Sequence, residues 1–301
     1  MAKVNLVNKK LDKDSAELYQ HRTRRQEIWR NFRKNKASII AMTILIVLFL
    51  VALTVDFWLP EDMYVGMAPI HRLQGPSAEH WFGTDEMGRD LFWRTVYGSR
   101  FSLAIGISSV IVAVLIGVPL GALAGFYGGT LDTVIMRVND MFGAIPNILM
   151  AMVIVAVLGP SMINLTIAIG ISSSTGLVRI ARAAVLTIKN EEYIEAARAL
   201  GKTDGYIIAK HILPNCLSPI IVTVTLRIAL AIISASSLSF LGLGVKPPTP
   251  EWGALLNAGN QYLRDYPYMT IFPGVAIMIT VLCFNLIGDG LRDAMDPKLR
   301  K

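Results

Sequence analysis

The stretch ASIIAMTILIVLFLVALTV, residues 37–55, holds nineteen residues without a single charge. Three more uncharged, apolar stretches follow at 101–131, 141–178 and 266–288. A run of about 18 or more such residues is long enough to cross a bilayer as a helix. Charged residues make up only 17% of the 301-residue chain, and 53% of the residues are hydrophobic. The sequence therefore predicts an all-α membrane protein with several spans.

Six spans are predicted, and Gly159-Pro160 between the third and the fourth is a turn signal. The predicted spans are 37–57, 100–127, 132–158, 161–187, 215–243 and 268–290. The first apolar run is too long for a signal-peptide core, so we expect it to be retained. The other predicted segments are a basic tail at 1–36, a loop at 58–99, a core at 100–290 with loops at 188–215 and 244–267, and a tail at 291–301.

Basic residues are distributed unevenly between the two sides of the predicted bundle. The two tails and residues 179–215 carry 21 Lys and Arg, whereas the opposite side, counted over residues 58–100 and 244–267, carries six. By the positive-inside rule both termini and the 188–215 loop are cytoplasmic. Anionic lipid beside this basic side accounts for the net charge of +7, so no nucleic-acid partner is implied.

Residues 21–36 predict a basic helix on the membrane surface. In this prediction Ile28, Trp29 and Phe32 enter the membrane interface while the arginines face lipid headgroups. The alternative is a disordered basic tail.

The polar segment EEYIEAARALGKTDGYIIAKHILPN, residues 191–215, predicts two short helices. Helix-forming residues lead to Gly201, which suits the left-handed end of a helix. Thr203 or Asp204 can cap the second helix, which continues to Pro214. The apolar strip made by Ile194, Ala197 and Leu200 suits either a groove on a partner or the protein's own cytoplasmic surface. The residues alone leave these two alternatives open.

This chain is expected to bind no nucleotide, metal or other cofactor, and no catalytic residue is predicted. Gly201-Lys202-Thr203 matches the end of a phosphate-binding loop, but Ala196 stands where the first glycine is needed, and the preceding residues predict a helix instead of a strand. Cys216 and Cys283 have no metal-type spacing. The four histidines are scattered along the chain.

The 191–215 segment resembles the EAA loop of ABC-importer permease subunits. The resemblance rests on Glu195-Ala196-Ala197, Gly201 and Leu213-Pro214. His211 stands where that family has isoleucine, so the apolar contact is expected to shift to Ile212. The resemblance implies a coupling helix seated in a cleft of an ATPase subunit. The implied coupling residues are Glu195, Ala196, Ala197, Leu200, Gly201, His211, Leu213 and Pro214.

Four longer motifs resemble one branch of these permeases, the C-type subunit of oligopeptide/dipeptide and nickel importers. The motifs are FGTDEMGRDLFWRTVYGSRFSL (82–103), GGTLDTVIMRVNDM (128–141), SLSFLGLGVKPPTPEWGALL (237–256) and FNLIGDGLRDAMDPKLR (284–300). The resemblance implies a type I, MetI-like fold in the cytoplasmic membrane of a prokaryote. It also implies a second permease subunit, two ATPase subunits that bind ATP and Mg, and an extracytoplasmic binding protein. Peptides are the expected cargo, with nickel or a metal chelate as the alternative.

Other candidate sites lie outside this loop. We expect Asp85 and Arg89, on a surface helix capped by Thr84, and Trp252 to contact the binding protein. The alternatives are a structural helix and a rigid connector.

Polar residues within the predicted spans suggest a route for the cargo. Arg227, near the middle of the fifth span, is a candidate for the translocation pathway together with Ser173 and Ser236. Arg227 could instead bond carbonyls inside the bundle, and the serines could instead serve helix packing.

The competing class is an ion-driven secondary transporter. Such a protein calls for carboxylates deep inside spans, or for inverted repeats with broken helices. The sequence contains neither pattern. In the importer interpretation, Glu195→Lys or Gly201→Asp is expected to uncouple ATP hydrolysis from transport.

Overall fold

The computed structural model describes residues 24–295. Expectations for residues 1–23 and 296–301 therefore lie outside the described part. Within it the chain is helical, apart from turns and one isolated β-bridge. The helices are α1 Arg24–Lys34, α2 Lys36–Trp58, α3 Glu61–Val65, α4 Leu91–Tyr127, α5 Gly129–Gly143, α6 Asn147–Leu158, α7 Met162–Ile188, α8 Glu192–Ala199, α9 Asp204–Phe240, α10 Trp252–Asn260 and α11 Tyr268–Met295.

Five helices are long and apolar enough to cross a membrane: α2, α4, α7, α9 and α11. The prediction of an all-α membrane protein is therefore confirmed. At a rise of 1.5 Å per residue the 37 residues of α4 extend for about 55 Å, so this helix continues well beyond a bilayer core. The two cysteines, Cys216 and Cys283, are buried and unbridged.

The predicted third span, 132–158, is wrong as a single helix. The helices α5 and α6 occupy this region and are bent by 84° relative to each other. Pro146 stands at the break; it cannot donate a helical hydrogen bond, and it disfavours helical geometry in the residue before it. The bent pair counts as a sixth span only if its two helices cross the membrane together.

Ion pairs hold α5 against α7. Both guanidinium nitrogens, Nε and Nη2, of Arg182 donate to the carboxylate of Asp132 at 2.6 Å, and Arg179 donates to Asp140 at 2.9 Å. A bidentate guanidinium–carboxylate pair fixes relative orientation as well as distance. Both carboxylates of α5 are thus paired with arginines of α7.

Three glycines spaced four residues apart bring α4 and α7 into close contact. A Cβ atom at Gly117 would lie 2.7 Å from the Cβ of Leu177, and one at Gly121 would lie 2.4 Å from the carbonyl oxygen of Val178. At Gly125 the carbonyl of Arg182 would be 2.9 Å away. Small residues at this spacing let two helix backbones approach inside a membrane.

The basic helix α1 packs against α11 of its own chain. Phe32 is buried there, and a Cβ at Gly290 would lie 3.2 Å from its ring. Trp29 stacks on Phe32 with 5.9 Å between ring centroids and stays about half exposed. The amphipathic helix is confirmed from residue 24 onward, but the insertion of Phe32 into the membrane interface is wrong.

The bundle has two ends with different structures. The 191–215 segment lies at the C-terminal end of α4, which we call the basic end. At the N-terminal end of α4, residues 60–90 and 246–267 pack together, and we call this region the cap.

Candidate functional site

The underside of α8 is buried in the chain's own core. Ile194 is fully buried and Ala197 nearly so. They pack in one cluster with the ends of three spanning helices, through Phe126 of α4, Val185 of α7 and Ile212 of α9. Ile194 and Ala197 thus pack against the protein's own surface instead of a groove on a partner. The side chain of Ala197 is therefore not available to a partner protein.

The C-terminal end of α8 is a Schellman motif. Gly201 has φ 74°, as the sequence predicts, and its amide donates to the carbonyl of Arg198 at 2.9 Å. The amide of Lys202 donates to the carbonyl of Ala197 at 3.2 Å. This pair of bonds fixes a sharp turn. The residues before the turn are helical, as the exclusion of a phosphate-binding loop requires.

The outer face of α8 and its turn remains exposed. Glu195, Ala196 and Gly201 are all on the surface, and Leu200 is 79% exposed. A Cβ at Gly201 would meet open space. A leucine displayed this far from the core at a rigid turn is available to another molecule.

A π turn at the start of α9 decides which residue enters the core. It covers Ile208–Ile212. Ile207, directly before the turn, and Ile212, its last residue, are both fully buried. The π turn adds one residue to the helical turn. Ile212 therefore packs in the core, as expected, and His211 is half-buried beside the ring of Tyr206, 5.7 Å away. Leu213 is half-buried and Pro214 is exposed.

Arg227 and Ser173 meet in the middle of the bundle. Nη1 of Arg227 donates to the carbonyl of Ser173 at 2.9 Å, and a Cβ at Gly176 would lie 1.9 Å from Nη2. Nε of Arg227 is buried without a hydrogen-bond partner among the described residues. This hydrogen bond to a carbonyl inside the bundle is the contact expected if Arg227 has a structural role.

Ser236 lies far from this pair, nine residues or about 13 Å along α9. It is buried under α10, where a Cβ at Gly253 would lie 2.6 Å from its Cα atom. The structure therefore separates Ser236 from the Arg227–Ser173 contact, and a pathway role for Ser236 stays a prediction.

The loop before α4 is a tight turn instead of the predicted surface helix. Thr84 and Asp90 form an isolated β-bridge, and Gly88 between them has φ 76°. The amide of Gly88 donates to the carbonyl of Asp85 at 3.0 Å. A glycine in the left-handed region suits a turn and interrupts a helix. The prediction of a helix capped by Thr84 is wrong for this reason.

A buried ion network holds the cap together. Asp85 accepts Nε of Arg89 at 2.7 Å and lies 3.4 Å from Nε of Arg94. Arg94 also donates to the carbonyls of Tyr64 at 2.7 Å and Pro248 at 3.4 Å. The network thereby joins both parts of the cap to the first turn of α4.

The predicted binding-protein contacts are all inside the cap. Asp85 and Arg89 are 3% and 5% exposed, and Trp252 is 1% exposed with Nε1 donating to the carbonyl of Thr95 at 2.8 Å. These three side chains cannot contact another protein in this structure. Asp85 and Arg89 instead bond to each other inside the cap.

Glu251 is a residue that the sequence analysis missed. Its carboxylate caps α10, accepting the amides of Gly253 and Ala254 at 3.0 Å each, and it accepts the hydroxyl of Ser102 at 3.0 Å. It is fully buried, and burial raises its pKa above the usual glutamate range while these hydrogen bonds oppose the rise. An acidic residue directly before a helix start is a capping signal that could have identified it.

Comparison with known proteins is consistent with this architecture. Residues 117–301 match the family described as binding-protein-dependent transport system inner membrane component. Residues 23–76 match the N-terminal transmembrane domain of oligopeptide transport permease C. The inward-facing MetNI methionine ABC transporter shares the fold, with a TM-score of 0.56 and 22% identity over 68% of this chain and 98% of that chain.

Two relatives align along nearly the whole chain. The dipeptide transport system permease protein DppC of Alkalihalophilus pseudofirmus is 47% identical over 275 residues, 91% of this chain and 90% of the relative. The glutathione transport system permease protein GsiD of Pectobacterium atrosepticum is 44% identical over 279 residues, 93% of each chain. Both are permease subunits, which favours the importer over the ion-driven transporter. The chain therefore belongs to the family of binding-protein-dependent transport system inner membrane components, as a permease subunit of an ABC importer.

Proposed function

We propose that this chain forms half of the pathway by which an ABC importer carries di- or oligopeptides across the cytoplasmic membrane of a prokaryote. The two relatives are named for a dipeptide and for glutathione, which are both small peptides. A second homologous permease subunit completes the pathway, and two ATPase subunits bind ATP and Mg. An extracytoplasmic binding protein delivers the peptide. The permease chain itself binds no ATP.

The observation that carries this proposal is the two-sided structure of α8. Its underside packs against the ends of three spanning helices, whereas its outer face and Leu200 are exposed. An ATPase that grips the outer face therefore moves α4, α7 and α9 together. The basic end faces the cytoplasm in the predicted orientation, where the ATPases would be.

Charge reversal on the outer face tests the coupling. Glu195 is exposed on the outer face of α8, so Glu195→Lys alters the surface and leaves the buried cluster intact. We expect peptide uptake to fall about tenfold or more in vesicles containing the whole transporter, corresponding to about 1.4 kcal/mol of lost coupling. ATP hydrolysis by the same vesicles should no longer rise when peptide-loaded binding protein is added.

The matched control is Glu61→Lys, an exposed glutamate in the cap. This variant should retain both uptake and stimulated hydrolysis. Normal uptake in Glu195→Lys would count against the coupling role of α8.

Arg227 tests the pathway half of the proposal. A partly buried cation in the middle of a spanning helix can meet the carboxylate of a passing peptide. We expect Arg227→Ala to reduce uptake about tenfold, while the transporter still assembles and hydrolyses ATP. Arg264→Ala, which removes an exposed arginine from the cap, is the control and should change neither. Unchanged uptake in Arg227→Ala would mean that Arg227 has only a structural role, through its hydrogen bond to the carbonyl of Ser173.

The ligand of the binding protein decides the cargo. Mass spectrometry of that protein, isolated with its natural ligand, should identify a short peptide. A bound nickel ion or metal chelate would reject the peptide assignment and leave the coupling assignment intact.

A further inference from the structure

Two histidines and a glutamate that are separated in the sequence meet on the surface of the cap. One ring nitrogen each of His71 and His80 and a carboxylate oxygen of Glu79 lie within 4.8 Å of one another. The two imidazole rings are 5.4 Å apart between centroids. The scattered histidines of the sequence predict no metal site. In the folded chain, however, the cap loop places His71 and His80 side by side.

The loop that presents these side chains is fixed by hydrogen bonds. The amide of Gln74 donates to the hydroxyl of Thr84 at 2.9 Å, and the hydroxyl of Thr84 donates to the carbonyl of His71. The amide of His80 donates to the hydroxyl of Ser77 at 3.0 Å, and the carbonyl of His80 accepts the amide of Ser77 at 2.8 Å. The backbone at both histidines is therefore ordered before a metal ion binds, which lowers the entropic cost of metal binding.

The ring of His80 is oriented as a metal ligand. Its Nδ1 lies 2.8 Å from Oδ2 of Asp90 and donates a proton to that carboxylate. Nε2 then carries the lone pair, and it is buried without a hydrogen-bond partner among the described residues. Metal-bound histidines typically donate their second nitrogen to a carboxylate in this way, which fixes the tautomer and raises the basicity of the ligand.

The geometry points to a site for a Zn²⁺-like divalent cation, and we propose that His71, Glu79 and His80 bind it. Two imidazoles and one carboxylate are a known zinc ligand set, with water in the fourth position. Tetrahedral ligands at about 2.0 Å from the metal lie about 3.3 Å apart, so the three groups need only a small contraction. Glu79 is exposed and His71 only half-buried, so both side chains can move. The two charges of the cation would also balance the carboxylates of Glu79 and Asp90.

A metal here would link the cap loop to α4. The second oxygen of Asp90, Oδ1, accepts the amides of Phe92 and Trp93 at 2.9 and 3.2 Å and so caps this spanning helix. The same carboxylate thus bonds to His80 on one side and to the helix start on the other. Metal binding is therefore expected to stabilise the cap at the point where α4 begins.

The test is a zinc titration of the full chain, purified with a histidine-free tag and freed of metal with a chelator. Zn²⁺ is added in competition with a chromophoric chelator. We expect one equivalent per chain in the wild type and a loss of at least tenfold in affinity in His71→Ala and in Glu79→Gln. Asp90→Asn, which keeps an oxygen to cap α4 but removes the carboxylate that supports His80, should weaken binding about 10–100-fold.

Two controls keep the result interpretable. His211→Ala removes a histidine at the basic end and should leave the affinity unchanged. His71→Ala leaves the bond between His80 and Asp90 intact, so its effect does not depend on refolding of the cap. Co²⁺ should give tetrahedral visible absorption bands with the wild type but not with His71→Ala. Equal Zn²⁺ affinity in the wild type and in the His71→Ala/His80→Ala double variant would overturn the proposal.

Discussion

In the cap, Asp85 and Arg89 are buried and bonded to each other, whereas at the basic end Glu195 and Leu200 stand on the surface. Both regions belong to motifs that the sequence analysis associated with partner proteins. In the cap the charged motif holds the chain's own loops together. At the basic end the apolar residues form the attachment, and the charged and polar residues remain outside.

This difference has a physical cause. Among the described residues of loop 60–90, no apolar side chain is fully buried, whereas the ion network of Asp85 and Arg89 with Arg94 is buried at the start of α4. The α8 helix instead has Ile194 and Ala197 on one side, and these pack without any ion pair. A buried charge motif therefore indicates internal structure, and an exposed leucine at a rigid turn indicates a contact with another molecule.

The largest expected effect comes from breaking the cap network. Asp85→Ala removes the carboxylate that faces two buried guanidinium groups, Arg89 and Arg94. Removing one partner of a buried ion pair costs about 3–5 kcal/mol because the remaining charge stays unpaired. We expect a large fall in the thermal stability of the purified chain, measured by the loss of its helical circular dichroism signal.

The control is Glu86→Ala, its partly exposed neighbour, which should change stability much less. If Asp85→Ala unfolds at the wild-type temperature, the ion network does not hold the cap.

A smaller effect is expected at the buried cap of α10. Glu251→Ala leaves the amides of Gly253 and Ala254 without an acceptor and should cost about 2 kcal/mol. Glu251→Gln keeps one oxygen acceptor and should cost less. Thermal unfolding of the two variants side by side measures the difference.

The same residue predicts a pH dependence. Since the pKa of Glu251 is raised in the folded protein, the folded state holds a proton that the unfolded state has already released. The resulting stability is present below the usual glutamate pKa and is lost as the pH rises through the raised value. Glu251→Gln should flatten this part of the stability profile, and an unchanged profile would show that Glu251 is not its source.

The smallest effect on stability is expected at the basic end. Gly201→Ala places a side chain at φ 74°, which costs about 1 kcal/mol, while its Cβ meets open space. The turn geometry should change enough to lower uptake per ATP hydrolysed, whereas the melting temperature should change by a few degrees at most. Uptake into vesicles, divided by phosphate release, measures the coupling.

Gly205→Ala is the matched control, because Gly205 is also exposed and unobstructed but does not have a positive φ. Equal coupling in the two variants would mean that the left-handed turn is not needed.

Several features followed from local residue patterns. Hydropathy located five spans, because an uncharged run of sufficient length has few alternatives to a membrane helix. The left-handed Gly201 and the core position of Ile212 also followed from the sequence. Each of these depends on neighbours within a few turns of the chain.

The errors arose where distant segments meet. Trp252 is predicted to contact the binding protein, but it is buried against Thr95 of α4. Phe32 fits an amphipathic surface helix, but Gly290 of α11 leaves room for its ring. In both cases the deciding partner is more than 150 residues away in the chain.

Composition and backbone preference act locally, and they are sufficient to predict a helical membrane protein with a rigid polar bridge between two spans. The inward orientation of the charged motif in the cap, the burial of Glu251 and the proximity of His71 to His80 arise only in the folded chain. Burial and long-range pairing depend on which surfaces the folded chain brings together. That information is distributed over the whole fold, and no single stretch contains it.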